Sequence, residues 1–205
     1  GFTLVSSSAA SDVYKRQFVS FVMMERHKVH NIKVMRATIT QISLFFLLLV
    51  GLQANAQDIK WLSWDEAVKL SQTDAKPKKM FIDVYTDWCG WCKKMDKDTF
   101  QHPDVSKYMQ DNFYMVKLDA EGKDPIEYNG KTFKFVPSGR NGYHELAAAL
   151  LQGQLSYPTV VFLDEEMNML SPVPGYQKVE PFMQIAKYYG DNIYKDKDWQ
   201  TYAGK

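Results

Sequence analysis

The sequence predicts an α/β sandwich around a mixed sheet, with helices lying between buried strands. Three observations predict it. Met80-Phe81-Ile82-Asp83-Val84-Tyr85 is a nearly continuous apolar run of strand length, as a strand buried on both faces requires. Residues 113–118 and 159–163 read as further strands, the second with an antiparallel partner at 169–173 across a turn at 164–168. Helix-cap signals and helix formers separate these strands.

Taken in order, Ser63-Trp64-Asp65-Glu66 is a capping-box pattern with Ser63 as N-cap, and a helix follows to about Ser71. Lys76-Pro77-Lys78-Lys79 breaks it. After the first strand, Thr86-Asp87-Trp88 forms a turn and a helix runs over 89–100. His102-Pro103 interrupts it, and 104–112 is a second helical piece. Tyr128-Asn129-Gly130-Lys131 predicts a hairpin, since Asn-Gly suits a type I′ turn, so 126–136 reads as a small two-stranded insertion. Residues 144–152 are Ala/Leu-rich and helical, ending near Gly153. An amphipathic helix over 179–189 closes the pattern, and the tail beyond Asp191 is charged and aromatic.

The first 56 residues read as separate from this domain. Residues 42–52 form a short apolar run, about half of the ~20 residues that a membrane-spanning helix needs. Arg36 precedes it, with Met35 as a candidate start, and Ala54-Asn55-Ala56 follows. Positive end, short apolar middle and small-x-small site together describe a secretory signal peptide over 35–56, with the mature chain at 57–205. An uncleaved anchor or a buried helix is the alternative, and the run is short for the former. Residues 1–34 show no sustained period and are read as a non-native or disordered leader. The expected location is therefore periplasmic or secreted, with no stable membrane insertion.

The whole chain has 205 residues and a formal net charge of +1. Setting aside the six basic and two acidic residues of 1–56 leaves 19 basic and 22 acidic, a net of −3. That balance excludes a generic nucleic-acid binder. A hydrophobic content of 45% is enough for a real core. The only two cysteines are Cys89 and Cys92, which excludes a multi-disulfide scaffold and a four-thiolate metal site in one chain.

Both cysteines lie in Trp88-Cys89-Gly90-Trp91-Cys92, between a strand and a helix. Cys89 then starts the helix, where free N–H groups and the macrodipole favour an anion. The thiolate is the nucleophile of disulfide exchange, so this placement activates Cys89. Cys92 lies about one turn further on and can attack a mixed disulfide on Cys89. Gly90 allows close approach of a partner backbone.

From Phe81 to Cys92 the pattern Phe-Ile-Asp-Val-Tyr-Thr-Asp-Trp-Cys-Gly-Trp-Cys resembles thioredoxin. The resemblance extends over roughly 64–189, and among relatives it is similar to secreted bacterial thioredoxin-like proteins and the thioredoxin domain of thiol:disulfide interchange reductases. It implies a thioredoxin-like fold: a mixed central sheet with helices on both faces, plus the small insertion before a cis-Pro loop. It implies an acidic residue buried under the cysteines, at Asp83, and a lysine partner on the next strand, at Lys117. It implies a cis-proline facing the cysteines at Tyr157-Pro158, and a glycine after the last hairpin at Gly175. A desolvated Asp83 has a raised pKa and can take the proton of Cys92, while Lys117 tunes it. Trp88 and Trp91 form an apolar rim, and Tyr157 and Pro158 offer backbone for strand-like pairing with a substrate.

Two departures qualify the carry-over. The family's usual proline before the second cysteine is Trp91, and the intervening pair strongly affects redox poise. Potentials run from about −270 to about −120 mV between relatives, a span near 7 kcal/mol. Lys117 and Pro158 are also 41 positions apart, more than one average helix of about 11–12 residues uses. The surplus, centred on 124–142, is expected to shape partner choice.

Plainer readings accompany each residue. An inert structural disulfide is poorly motivated, because so short a loop constrains the unfolded chain little. His102 and His144 lie 10 and 52 positions after Cys92, not at zinc-finger spacing, so they read as a solvated loop residue and a helix-start surface residue. Asp83 could face water at a strand edge, though its apolar run favours burial, and Lys117 either pairs with it or faces solvent. The Lys93, Lys94, Asp96, Lys97, Asp98 cluster reads as a solvated helix face. The expected function is exported thiol:disulfide exchange with protein thiols or disulfides, in the reductase or isomerase direction. No cofactor beyond the dithiol and no metal is expected, and a membrane electron-donor protein is the expected recycler. The alternative is a non-catalytic binding module that presents Trp88 and Trp91 over a structural disulfide.

Overall fold

The computed structural model describes residues 23–24, 58–139 and 141–204. The chain divides into two units, Gly1–Ala54 and Asn55–Lys205, and the second carries every element below. The leader and signal-peptide readings lie outside the described residues, apart from Met23 and Met24, which are helical and exposed.

The first helix, α1 (Trp64–Thr73), starts on a complete capping box. Ser63 Oγ accepts the Glu66 N–H, and Glu66 Oε2 accepts the Ser63 N–H at 2.8 Å, so two helix-end donors are satisfied reciprocally. Next comes β1 (Lys79–Tyr85), then the short α2 (Gly90–Met95), α3 (Pro103–Asn112) with Pro103 in its first turn, and β2 (Phe113–Asp119). The insertion holds β3 (Ile126–Tyr128), β4 (Lys131–Phe133), β5 (Phe135–Val136) and β6 (Tyr143–His144). The chain then runs through α4 (Glu145–Leu150), β7 (Thr159–Leu163), β8 (Met169–Pro174) and α5 (Val179–Gly190). The tail forms a 3-10 turn (Ile193–Lys195) and a last helix, α6 (Trp199–Ala203).

The central sheet has the order β2-β1-β7-β8. β1 pairs parallel with β2 and antiparallel with β7, and β7 pairs antiparallel with β8, so the sheet is mixed. Strand alternation divides the core into two layers. Met80, Ile82 and Val84 face α1 and α4, packing on Trp64, Ala67, Leu146 and Leu150. Phe81 faces the opposite side with Met95, Phe100, Val105, Met109, Phe182 and Ile185. There Phe81, Phe100, Phe162 and Phe182 meet edge-on at centroid distances of 5.3 to 5.7 Å, a geometry that adds about 0.5–1.5 kcal/mol per pair beyond burial. Asp83 shares this second face, and its register neighbours are Lys117 on β2 and Val160 on β7.

Three local readings need correction. The helix expected over 89–100 is α-helical only to Met95, and Asp96–Phe100 form a π-helical turn. Such widened turns favour sites where one side chain must be re-aimed, and Asp96 heads this one. The insertion holds two two-stranded sheets rather than one: the expected β3–β4 hairpin, with Asn129 and Gly130 both at positive φ, and a β5–β6 pair. The latter needs Gly142, whose φ is +112° and where a Cβ would lie 2.4 Å from the Phe135 ring. His144, read as a surface residue, is buried and caps α4. Its Nδ1 accepts the Leu146 N–H at 3.2 Å, so Nε2 carries the proton toward the Asp124 carbonyl at 3.1 Å.

Candidate active site

β1 delivers the chain to the site. The Thr86 carbonyl accepts the Cys89 N–H at 3.1 Å, which turns the backbone into α2. Cys89 is the N-cap of that helix, and its Sγ accepts the Cys92 N–H at 3.1 Å. An N-capping sulfur that receives a helix N–H is placed where negative charge is stabilised. Cys89 and Cys92 form a disulfide, with their Cα atoms 5.3 Å apart. Both residues are buried, while Trp88 and Trp91 on either side are 61% and 59% exposed. Gly90 has open space where a Cβ would point.

The facing loop comes from β7. Val84 pairs with Thr159, so Tyr157-Pro158 enters β7 at the end of the sheet where β1 leads into Cys89. The Tyr157-Pro158 peptide is cis, and the Pro158 carbonyl accepts the N–H of Gly175 at 2.8 Å. Gly175 adopts φ +89°, which suits glycine. Tyr157 meets the Trp88 ring edge-on at 6.0 Å, joining this loop to the Cys-x-x-Cys turn. On the other side Trp91 packs against Tyr176 at 5.4 Å. That pair opens onto a groove of about 690 Å³ lined also by Lys94, Asp98, His102 and Val179. Tyr176 was not singled out from sequence, although it directly follows Gly175.

On β1, six positions before Cys89, Asp83 is 1% exposed, and its Oδ1 has no hydrogen-bond partner among the described residues. Lys117 Nζ lies 3.7 Å from Asp83 Oδ2 but makes its tighter contact with Asp96 Oδ2. The same ammonium sits over the Trp61 ring at 4.8 Å and the Tyr85 ring at 5.3 Å. Burial pushes the Asp83 pKa up to about 7; the Lys117 charge opposes this and the Asp96 charge adds to it. Two carboxylates thus compete for one cation, and the outer one takes it.

Asp96 departs from the sequence expectation in its partner. Half-buried, it pairs across to Lys117 on β2, whereas Lys94 and Asp98 pair along the helix. The signal was present, since Asp96 lies four positions after Cys92 and so shares its helix face. The arrangement predicts that Asp96→Asn frees Lys117 for Asp83 and removes the repulsion. The Asp83 titration should then move to lower pH, as read by carboxyl-carbon NMR. An unchanged midpoint would contradict the shared-cation geometry.

The sequence matches the family model Thioredox_DsbH, described as a protein of unknown function, DUF255, over residues 43–185. The chain belongs to this family. Disulfide bond reductase DsbH of Chlamydia pneumoniae is 29% identical over 118 residues, 57% of this chain and 63% of that protein. Thiol:disulfide interchange protein DsbD of Yersinia enterocolitica is 27% identical over 143 residues, 65% of this chain and 21% of that protein. Other curated relatives, from Caenorhabditis elegans and Homo sapiens, match over 93 residues that are 12% of their own length. The chain therefore spans less than two thirds of each of these relatives. A solved structure of a DsbH oxidoreductase is similar with a TM-score of 0.47 and 19% identity, covering 66% of this chain and 86% of that one.

Proposed function

We propose that this chain is an exported thiol:disulfide oxidoreductase that exchanges the Cys89/Cys92 pair with protein substrates in the reductase or isomerase direction. The observation that carries it is the Cys89–Cys92 disulfide at a helix N-cap that follows β1, the strand that buries Asp83 with its pKa raised to about 7. A binding module that merely displays Trp88 and Trp91 has no use for a desolvated carboxylate, which is costly to keep.

In the reducing direction the Cys89 thiolate attacks one sulfur of a substrate disulfide. A mixed disulfide forms and one substrate thiolate leaves. The Cys92 thiol passes its proton to the Asp83 carboxylate and attacks Cys89 Sγ, releasing the second substrate thiolate. The substrate gains two electrons, and the Cys89–Cys92 bond is formed. A separate donor must then return two electrons to the pair. The name of the relative DsbD, a thiol:disulfide interchange protein, supports exchange with protein thiols or disulfides, and the signal-like segment at 35–56 supports a periplasmic or secreted location, where a membrane electron-donor protein is the proposed recycler. Lys117 tunes Asp83, and Trp88, Gly90, Trp91, Tyr157 and Pro158 receive the substrate chain. The dithiol itself serves as the redox group, so the scheme needs no cofactor and no metal. The test is turnover of a protein disulfide such as insulin by the full chain, and its loss on Cys89→Ser. Absence of turnover in the unaltered protein would return the reading to a binding module.

A further inference from the structure

The insertion between β2 and α4 is built as a fixed part of the molecule. Its ends are fastened together, since the Ala120 carbonyl accepts the His144 N–H at 2.7 Å. Phe133 enters the core, and Tyr128 meets Trp64 edge-on at 5.3 Å. Within it, Lys123 Nζ sits 3.3 Å above the Phe135 ring, and that ring occupies the space that a side chain at 142 would need. Glu145 Oε2 accepts the Lys134 N–H while the Lys134 carbonyl accepts the Glu145 N–H at 2.9 Å, tying the middle of the insertion to α4.

One hydrogen-bonded path leads from this body to the cysteines. Glu121 Oε1 accepts the indole N–H of Trp88 at 3.0 Å and also the side-chain amide of Asn141 at 3.1 Å. Glu121 is itself positioned, because its backbone N–H donates to Asp119 Oδ1 at 2.9 Å. Asn141, at the far end of the insertion, therefore shares an acceptor atom with the residue next to Cys89. Trp88 in turn contacts Tyr157, which precedes the cis-proline. Asn141, Glu121, Trp88 and Tyr157 form a continuous line of contacts from the insertion to the substrate loop.

We infer that Asn141 is a positioning residue that, through Glu121, holds the exposed Trp88 ring against Tyr157, and that the insertion selects polypeptide substrates over small disulfides. This rests on the oxidoreductase reading. The physical reason is selective. A small disulfide needs only the Cys89 sulfur, whereas a polypeptide must also lie along the Trp88 and Tyr157 surface. A ring fixed in advance lowers the ordering cost of binding such a chain. Without the Asn141 amide, Glu121 loses one of two donors and Trp88 gains freedom.

Asn141→Ala in the full chain tests this, with Trp88 assigned by its loss in Trp88→Phe. The Trp88 indole N–H resonance should shift and exchange faster with solvent. KM for insulin should rise several-fold with kcat within about twofold, while turnover of a small aromatic disulfide, the melting temperature and the reduction potential stay unchanged. Asn141→Gln, which keeps the amide donor, should restore part of the insulin KM. An unmoved indole resonance overturns the coupling. A moved resonance with unchanged insulin KM, or an equal loss on both substrates, overturns the selective role. Failure of the unaltered protein to turn over either substrate instead sinks the oxidoreductase reading, and the indole readout tells the two failures apart.

Discussion

Cys89→Ser is expected to lower turnover of a protein disulfide by on the order of 10³-fold or more, to the background of the reductant alone. The serine hydroxyl cannot form a disulfide, so no covalent intermediate is available. Cys92 does not replace it, because Cys89 is the N-cap whose sulfur receives a helix N–H, whereas Cys92 lies within α2. Loss of the fold is a poor explanation for the effect. A bridge between residues three apart closes a minimal loop and contributes about 2 kcal/mol by loop-closure entropy. That is a fraction of the roughly 5–15 kcal/mol of an ordinary domain. Cys92→Ser should behave differently, accumulating a mixed disulfide on Cys89 that mass spectrometry detects. A Cys89→Ser protein that retains turnover would place the chemistry elsewhere.

Asp83→Asn is expected to act in opposite directions on stability and rate. The Asp83 pKa is about 7 in the folded protein against 3.8 for a free carboxyl. The fold therefore prefers the protonated form. This preference is fully present below about pH 4 and is lost as pH rises through 7, where the buried charge must form. Asparagine has nearly the same shape and never ionises. At pH 8 the variant should be more stable than the parent by on the order of 4 kcal/mol, and at pH 4 the two should nearly match. Its turnover at pH 7 should fall about 10²-fold, since Cys92 loses its proton acceptor. Denaturant melts at the two pH values check the first part and pH–rate profiles the second. Equal stability at pH 8 would mean that Asp83 is not desolvated in solution.

The burial of Asp83 was legible from its neighbours in the chain. An apolar run of strand length leaves a polar intruder few places to go, and Asp83 is buried. The capping box of α1 and the Asn129-Gly130 turn were legible for the same reason, since each carries its hydrogen bonds within four residues. What depended on distant partners was not. His144 looked like a surface residue because nothing local announces the Asp124 carbonyl that receives its ring N–H. The β5–β6 pair is two residues long, too short for alternation to show, and depends on Gly142 lying under Phe135. Asp96 stood among lysines and looked like their partner. Only the parallel register of β1 and β2, which sets Lys117 beside Asp83, together with the π-helical turn, shows where its carboxylate goes. The substrate face divides likewise. Trp88 and Trp91 were visible as rim residues from their spacing, while Tyr176 and the Glu121 link needed the folded chain.

The most direct test of the central claim is the reduction potential of the Cys89/Cys92 pair in the full chain, measured by equilibration with glutathione buffers. Strong oxidants gain their potential from extra stabilisation of the reduced thiolate. The proposed reductase direction predicts a reversible two-electron couple toward the thioredoxin end of the scale, about −270 mV, rather than near −120 mV. A value near −120 mV would contradict the reductase direction, and the absence of any reversible couple would contradict the oxidoreductase reading itself.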